Sequence, residues 1–436
     1  MIFSSLLGHT HEVFDLVRAA TLPADRLMNT YFRSHKYLGS TDRKFVAETA
    51  YGTLRHMRRL EMIVDHALEN SALDPANRSL FSVFAYAKLI ARDPQADVDG
   101  LLPLIKGKRT KKLISAIVKN LDDKLPLPED PQLRIGIEHS VPDWLVRRLV
   151  ADFSLEEAER ICASMNVPAP TTLRTNTLKT SREALKMAFE IHGVQATETV
   201  YSPLGLRLNK RIGMFNIIEF HRGMFEMQDE GSQILVQMID PKPTDKVLDA
   251  CAGAGGKTLA LAAHMNNRGE ILATDIQLYR LEELKERSRR AGVHNIRIRQ
   301  VDSLRRLEQS YYDSFDVVLV DAPCSGLGTM RRNPGMKWMV SEAMMNELAA
   351  KQRSILALAS EYVKPGSYLY YATCTFLREE NEDVVNWFLS EYPQFKVVKP
   401  KLIKGIETTS EGYVRLLPHV HGTDGFFIAA IKRASR

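Results

Sequence analysis

Val247-Leu248-Asp249-Ala250-Cys251 runs directly into Ala252-Gly253-Ala254-Gly255-Gly256-Lys257-Thr258, and the reading of this stretch decides the fold. A short apolar run ending on an acid reads as a buried strand. The glycines after it permit positive φ and close backbone approach. The continuation reads as a helix, which aims its unpaired N–H groups at any anion in the turn. Working outward, the chain from Gln228 repeats strand, turn and helix. The candidate strands are 246–249, 270–274, 296–300, 316–320, 367–372, 396–398 and 426–431, with helical patterns between the first five. This alternation predicts βαβ units and a mostly parallel, seven-stranded, Rossmann-like α/β sheet covered on both faces.

Acids stand at successive strand ends. Asp275 closes the second strand, where a carboxylate accepts both hydroxyls of a ribose. Arg280 lies on the following helix start, and Asp302 follows the third strand, within reach of an adenine amino group. The glycine turn alone is shared with phosphate binders. Gly255-Gly256-Lys257-Thr258 matches the end of a P-loop, but the leading glycine of that motif is absent. No Gly-x-Gly-x-x-Gly is present for a dinucleotide either. Glycine turn and acids together fit adenosine with an amino-acid tail, which is S-adenosylmethionine. The expected cofactor residues are Cys251, Ala252, Gly253, Ala254, Gly255, Gly256, Lys257, Asp275, Arg280, Asp302 and Asp321.

Two cysteines sit after apolar runs at the same sheet edge, in Asp321-Ala322-Pro323-Cys324 and in Ala372-Thr373-Cys374-Thr375. Two thiols, a carboxylate and a cofactor turn on one edge suggest covalent catalysis on an electrophilic ring. Lys257 is placed to lower a thiol pKa or to hold a carboxylate. Cys162, within the helical pattern Ile161-Cys162-Ala163, reads as a core residue. Cys251 lies in the cofactor turn and meets the ligand through its backbone. No His/Cys cluster has zinc spacing, so no metal is expected.

The first 130 residues read as all helix, with apolar positions at helical spacing in Val13, Leu16, Val17 and Ala20 and in Phe81, Phe84, Ala85 and Leu89. Lys106, Lys108, Arg109, Lys111, Lys112 and Lys119 lie between Gly100 and Leu121 with no acid among them. A solvated helix face and an RNA-facing patch both account for that run. The Pro-rich stretch Leu125–Pro131 reads as a linker. Beyond it, helix at 142–165, strand at 171–177 and helix at 181–192 make a small α/β module. The expected domains are 1–130, 140–226 and 227–436. The net charge of +6 permits a polyanionic partner without demanding one. The start of the chain makes a poor signal peptide, and four cysteines are no disulfide framework, so a reducing, cytoplasmic setting is expected. No apolar run reaches the ~18 residues of a membrane span. Nothing requires more than a monomer.

Taken together, several motifs resemble one family. These are Asp249–Thr258, then Asp321-Ala322-Pro323-Cys324-Ser325-Gly326-Leu327-Gly328 with Arg331-Arg332-Asn333-Pro334, then Thr373-Cys374-Thr375 with Glu379-Glu380-Asn381-Glu382, and Gly422-Thr423-Asp424-Gly425-Phe426-Phe427. They resemble the Sun/Fmu-type RNA cytosine-5 methyltransferases, as do Leu173-Arg174-Thr175-Asn176-Thr177 and Gln228-Asp229-Glu230-Gly231-Ser232-Gln233 ahead of them. Leu38–Arg43 and Tyr51–Arg55 are similar to the NusB-type helical domain of the bacterial ribosomal-RNA members. The family turn usually has proline where Ala254 stands, a mild change. Met339 and Val340 replace a basic residue often found after Lys337-Trp338, which bears on the choice of target.

The resemblance implies that Cys374 is the nucleophile at carbon 6 of cytosine and that Cys324 removes the carbon-5 proton. The sequence by itself does not choose between them, since DNA cytosine-5 enzymes use a Pro-Cys thiol as nucleophile. Asp321, as a carboxylic acid on ring nitrogen 3 and the exocyclic amine, would stabilise charge developing on addition. Arg331, Arg332 and Lys337 are candidate phosphate holders beside a flipped base. Trp338 and Tyr279 are candidate stacking surfaces, with core packing the alternative, as good a reading for Trp338 and the better one for Tyr279. The substrate implied is RNA, foremost small-subunit ribosomal RNA. The alternatives are transfer RNA, or an RNA-binding assembly factor without activity, against which Asp321, Cys324 and Cys374 argue.

Overall fold

The computed structural model describes residues 1–19, 24–68, 73–210, 213–302 and 307–435, which leaves Ala20 outside. The chain forms two compact units. One comprises Met1–Pro168 with Met330–Ser341, and the other Ala169–Thr329 with Glu342–Arg436.

The first unit is helical. The helix Phe3–Ala19 buries Phe3, Leu7, Val13, Phe14 and Val17, whereas Leu16, expected on that stripe, faces outward. The helix Ser40–Arg55 carries glycine in its last turn because a Cβ on Gly52 would lie 1.9 Å from Cζ of Tyr86. Close helix approach thus explains Tyr51-Gly52-Thr53. The helix Lys108–Asn120 buries Ile114, Ile117 and Val118. It leaves Lys108, Arg109, Lys112 and Lys119 exposed, with Lys106 just ahead.

Pro131, expected in the linker, instead opens the helix Pro131–Glu138. Asp130 caps it by accepting from the N–H groups of Gln132 and Leu133, and proline suits a first helical position, where no N–H partner is needed. The single helix expected over 142–165 is two, Asp143–Asp152 and Leu155–Met165, because Ser154 caps the second through the Glu157 N–H. Both belong to the first unit. Cys162 is a core residue there, its thiol pushed up to about 12 by burial.

The segment Met330–Ser341 also packs within the first unit, which corrects three expectations. The Lys337 ammonium is 1% exposed and donates to the Arg55 carbonyl at 2.7 Å. Trp338 Nε1 donates to the Leu54 carbonyl at 2.8 Å. Arg331 is buried, with Nε donating to the Val167 carbonyl. These side chains satisfy main-chain acceptors instead of facing a nucleic acid. Arg332 is partly exposed.

The second unit holds two sheets. The small one is antiparallel, from strands β1 (Thr171–Thr175), β2 (Ala196–Glu198), β3 (Gly205–Leu208) and β4 (Phe225–Met227) in the order β2-β3-β1-β4. The large one contains β5 (Lys246–Asp249), β6 (Glu270–Asp275), β7 (Ile296–Gln300), β8 (Phe315–Asp321), β9 (Val363–Thr373), β10 (Phe395–Val398), β11 (Val414–Leu416) and β12 (Phe426–Arg433). Its order is β10-β12-β9-β8-β5-β6-β7, and β11 pairs with β12. The first five strands pair in parallel, while β12 runs antiparallel to β9. Seven strands were expected. The eighth, β11, is three residues long, too short to alternate. Val247, Leu319 and Ala372 pack in one core, and Leu248, Val318 and Tyr371 in another, so both faces are covered. Among the described residues no helix is long and apolar enough to cross a membrane.

Candidate active site

The strand order turns at β5, with β6 and β7 on one side and β8 and β9 on the other. Parallel sheets bind ligands outside the carboxyl ends of their strands at such a point. A cavity of about 660 Å³ lies there, within the usual range of about 300–1,000 Å³ for ligand pockets. Cys251, Ala252, Gly253, Ala254, Lys257, Asp275, Arg280, Asp302, Asp321, Cys324 and Cys374 all line it.

Gly255 and Gly256 are not among the lining residues. Gly255 has φ 85°, and a Cβ there would lie 2.1 Å from Cδ1 of Leu284, so this glycine shapes the turn. The Gly256 carbonyl accepts from Nη1 of Arg174 at 3.1 Å and Nε2 of Gln228 at 3.2 Å. The two motifs ahead of the catalytic domain therefore grip the back of the cofactor turn. Arg287, ion-paired to buried Glu226, adds a hydrogen bond to the Ala254 carbonyl.

Asp275 organises the front of the turn. Its Oδ2 accepts the Gly253 N–H at 2.9 Å and its Oδ1 the Gln277 N–H at 2.8 Å. Each carboxylate oxygen keeps acceptor capacity for a further donor. Asp249 lies behind the turn, where Oδ2 accepts from the Thr258 hydroxyl at 2.7 Å. Burial, reinforced by the charge of Asp321 against the Thr258 bond, pushes its carboxyl up to about 7.

Lys257 Nζ lies 2.6 Å from Oδ2 of Asp321 and 5.4 Å from the Phe426 ring centroid. Burial alone would lower this ammonium, but Asp321, Cys374 and Asp249 outweigh it and raise its pKa. Lys257 thus holds the side chain of Asp321 at the strand end.

The sulfurs of Cys324 and Cys374 are 3.4 Å apart, a hydrogen-bond contact between free thiols. The bond to Cys374, then burial, then the charges of Cys374 and Glu380 raise Cys324 well above the usual thiol range. Either sulfur can be the donor in this contact. Cys251, although in the cavity wall, is raised by burial and by the nearby Asp249, Asp321 and Asp275.

The two cysteine loops fit closely. A Cβ on Gly328 would lie 2.3 Å from the Gly425 carbonyl oxygen and 2.8 Å from that of Cys374. The Gly328 N–H donates to the Cys374 carbonyl at 2.9 Å, and the Gly425 N–H to the Gly328 carbonyl at 2.8 Å.

Sequence reasoning missed one wall of the cavity, made by Lys351, Ile355, Leu358 and Ala359 of the helix Glu342–Ser360 with Leu307 and Tyr362. Their helical spacing was the available signal. It also placed Tyr279 in the core, whereas that ring is 54% exposed.

A family profile described as 16S rRNA methyltransferase RsmB/F matches residues 236–432, and an RsmF/B-like ferredoxin-like domain matches 141–214. The probable ribosomal RNA small subunit methyltransferase B of Synechocystis is 30% identical over 91% of this chain and 92% of its own length. The chain belongs to the RsmB/F family. The 25S rRNA (cytosine-C(5))-methyltransferase nop2 of Schizosaccharomyces pombe is 32% identical to this family member over 67% of the chain and 51% of its own. A solved structure, that of PH0851, superposes with TM-score 0.79 at 26% identity, covering 98% of this chain and 99% of that one. This RsmB/F-family protein is a methyltransferase, and S-adenosylmethionine is its cofactor. Its residues fit that group, because the acceptors left on Asp275 suit ribose hydroxyls and the cavity has the right size.

Proposed function

We propose that this RsmB/F-family enzyme methylates carbon 5 of cytosine in RNA, with small-subunit ribosomal RNA as substrate, through a covalent Cys374 adduct at carbon 6. The observation that carries the proposal is the Cys324–Cys374 contact of 3.4 Å at the mouth of the cofactor cavity.

Asp275 holds the ribose, and the Cys251–Ala254 backbone and Lys257 flank the amino-acid tail. Arg280 and Asp302 complete the wall. The bound cofactor supplies an electrophilic methyl group. Carbon 5 of cytosine is too electron-poor to take it unaided. The Cys374 thiolate adds to carbon 6, forming a C–S bond and pushing the ring electrons onto carbon 5, the ring nitrogen and the carbonyl. Asp321 accepts from the exocyclic amine, and its Lys257 partner keeps a positive charge beside the developing anion. After methylation the proton on carbon 5 must leave. Cys324 takes it as a thiolate, the ring double bond reforms, and the sulfur of Cys374 departs with its electron pair.

The contact of the two sulfurs also sets the order of events. While Cys374 is a thiolate it accepts the Cys324 proton and holds that thiol protonated. Bonding of Cys374 to carbon 6 removes this acceptor and its charge. Cys324 then releases its proton to solvent and becomes a base only once an adduct exists. RNA is held by the all-helical residues 1–130 and the small α/β module 140–226, and the methyltransferase domain is 227–436. The exposed lysines and arginine of the helix Lys108–Asn120 support that division.

The test is nucleoside mass spectrometry after incubation of unmodified small-subunit ribosomal RNA with methyl-labelled S-adenosylmethionine. Labelled 5-methylcytidine in that RNA is expected. Label in another nucleoside, or only in transfer RNA, contradicts the proposal.

A further inference from the structure

Glu380 has no part in the scheme above, yet it is a carboxylate with no exposed surface beside both cysteines. Its Oε1 accepts the Ser325 N–H at 2.7 Å and Nε2 of Gln352 at 3.0 Å, and its Oε2 accepts the Ser325 hydroxyl at 2.5 Å. Gln352 Nε2 also donates to the Pro323 carbonyl at 3.0 Å. The residues on both sides of Cys324 are therefore tied to one carboxylate. The other cysteine loop joins the same network, because the hydroxyls of Ser325 and Thr375 are 3.1 Å apart. The Tyr371 hydroxyl fixes the Glu380 backbone by donating to its carbonyl at 2.6 Å. Among the described residues the hydrogen-bond partners of the carboxylate, Ser325 and Gln352, are neutral donors.

We propose that Glu380 is a positioning residue that locks the Cys324 loop against the Cys374 loop and acts as a constant electrostatic brake, opposing negative charge on the Cys324 sulfur. This rests on Cys324 being the releasing base. The groups around that sulfur are Cys374, just after β9, Glu380 from the turn Arg378–Glu380 ahead of the helix Glu382–Glu391, and Tyr371 from β9. Glu380 is the buried carboxylate among them. Its charge opposes thiolate formation at Cys324, whereas the Gly326 N–H favours it. Burial raises Glu380 itself, and the hydrogen bonds of Ser325, Gln352 and Thr375 oppose that rise. These donors limit the rise, although the carboxyl stays above its ordinary value. The brake is weaker than the grip of the Cys374 thiolate. That grip is lost when the adduct forms, whereas the effect of Glu380 on Cys324 is the same before and after.

The test reads Cys324 directly. Cys374→Ala removes the dominant partner, and the rate of iodoacetamide alkylation at Cys324 is followed against pH by peptide-resolved mass spectrometry. Adding Glu380→Gln keeps size and polarity but removes the charge. The inflection for Cys324 is expected to fall by about 0.5–1 pH unit, a rise of about three- to tenfold in labelling at pH 7. An unmoved inflection in folded protein overturns the brake. Tyr371→Phe carries the test separately, because it removes the hydroxyl that fixes the Glu380 backbone and leaves the carboxylate with its donors. The inflection should then stay near its parent value, and a fall as large as that expected of Glu380→Gln assigns the effect to loop packing and overturns the charge. Alkylation needs no turnover, so its failure is distinguishable from failure of methylation.

Discussion

Replacing Gly328 by alanine should uncouple the two cysteines without touching either. The added methyl would lie 2.3 Å from one main-chain oxygen and 2.8 Å from another, both backbone atoms that no side-chain rotation relieves. The loop must shift, which costs about 1–3 kcal/mol as overpacking. The shift also breaks the hydrogen bonds from Gly328 to Cys374 and from Gly425 to Gly328. At about 0.5–1.5 kcal/mol each, the total reaches about 2–6 kcal/mol. At about 2–4 °C per kcal/mol for a unit of this size, Tm should fall by roughly 5–20 °C. The catalytic effect should be larger than the loss of folded protein explains, because about 1 Å of misplacement costs on the order of a hundredfold in rate. Thermal unfolding and single-turnover methylation at a temperature where the variant is fully folded separate the two. A Gly328→Ala variant with wild-type Tm and rate would refute the close fit of the loops.

Asp275→Asn should weaken S-adenosylmethionine binding by roughly 10–100-fold in calorimetry, because a charge-assisted acceptor is worth about 1.5–3 kcal/mol. Unchanged affinity would remove Asp275 from the ribose site. Lys337, lowered to about 7 by burial and by Arg55, should make stability depend on pH. The unfolded lysine holds its proton up to about 10.4, so between pH 7 and 10 the unfolded chain binds more protons and stability rises with pH. Lys337→Met should abolish that slope in urea titrations, and a slope that persists would show the amine is not responsible. Replacing Lys108, Arg109 and Lys112 together by glutamine should weaken RNA binding and flatten the log–log salt dependence by about 2–3, at roughly 0.7–0.9 per phosphate contact. An unchanged slope would mark this helix as a solvated face.

The large sheet was legible because four of its five parallel strands hold an apolar run closed by a distinctive end, Asp249, Asp275, Asp321 or Thr373. Those ends carry the site, so fold and site were read from the same residues. Strand β11 was hidden because three residues hold no period. The placement of Lys337 and Trp338 was hidden for a different reason. A lysine and a tryptophan after a catalytic loop look functional in sequence, and only the carbonyls of Arg55 and Leu54 reveal that they are structural donors. Sequence likewise could not pair Lys257 with Asp321, residues 64 apart. It marked Glu380 only as part of a motif, since the donors it gathers come from residues 28 and 55 positions away.

The central claim is that the two cysteines have distinct roles. The most direct measurement is covalent trapping of 5-fluorocytosine-substituted ribosomal RNA with S-adenosylmethionine, resolved on denaturing gels, for wild type, Cys374→Ala and Cys324→Ala. The account predicts an adduct for wild type and none for Cys374→Ala. It predicts that Cys324→Ala accumulates adduct even on ordinary RNA, because the carbon-5 proton is not removed. Loss of the adduct in Cys324→Ala with retention in Cys374→Ala would reverse the roles, and no adduct in any variant would contradict covalent catalysis by this chain.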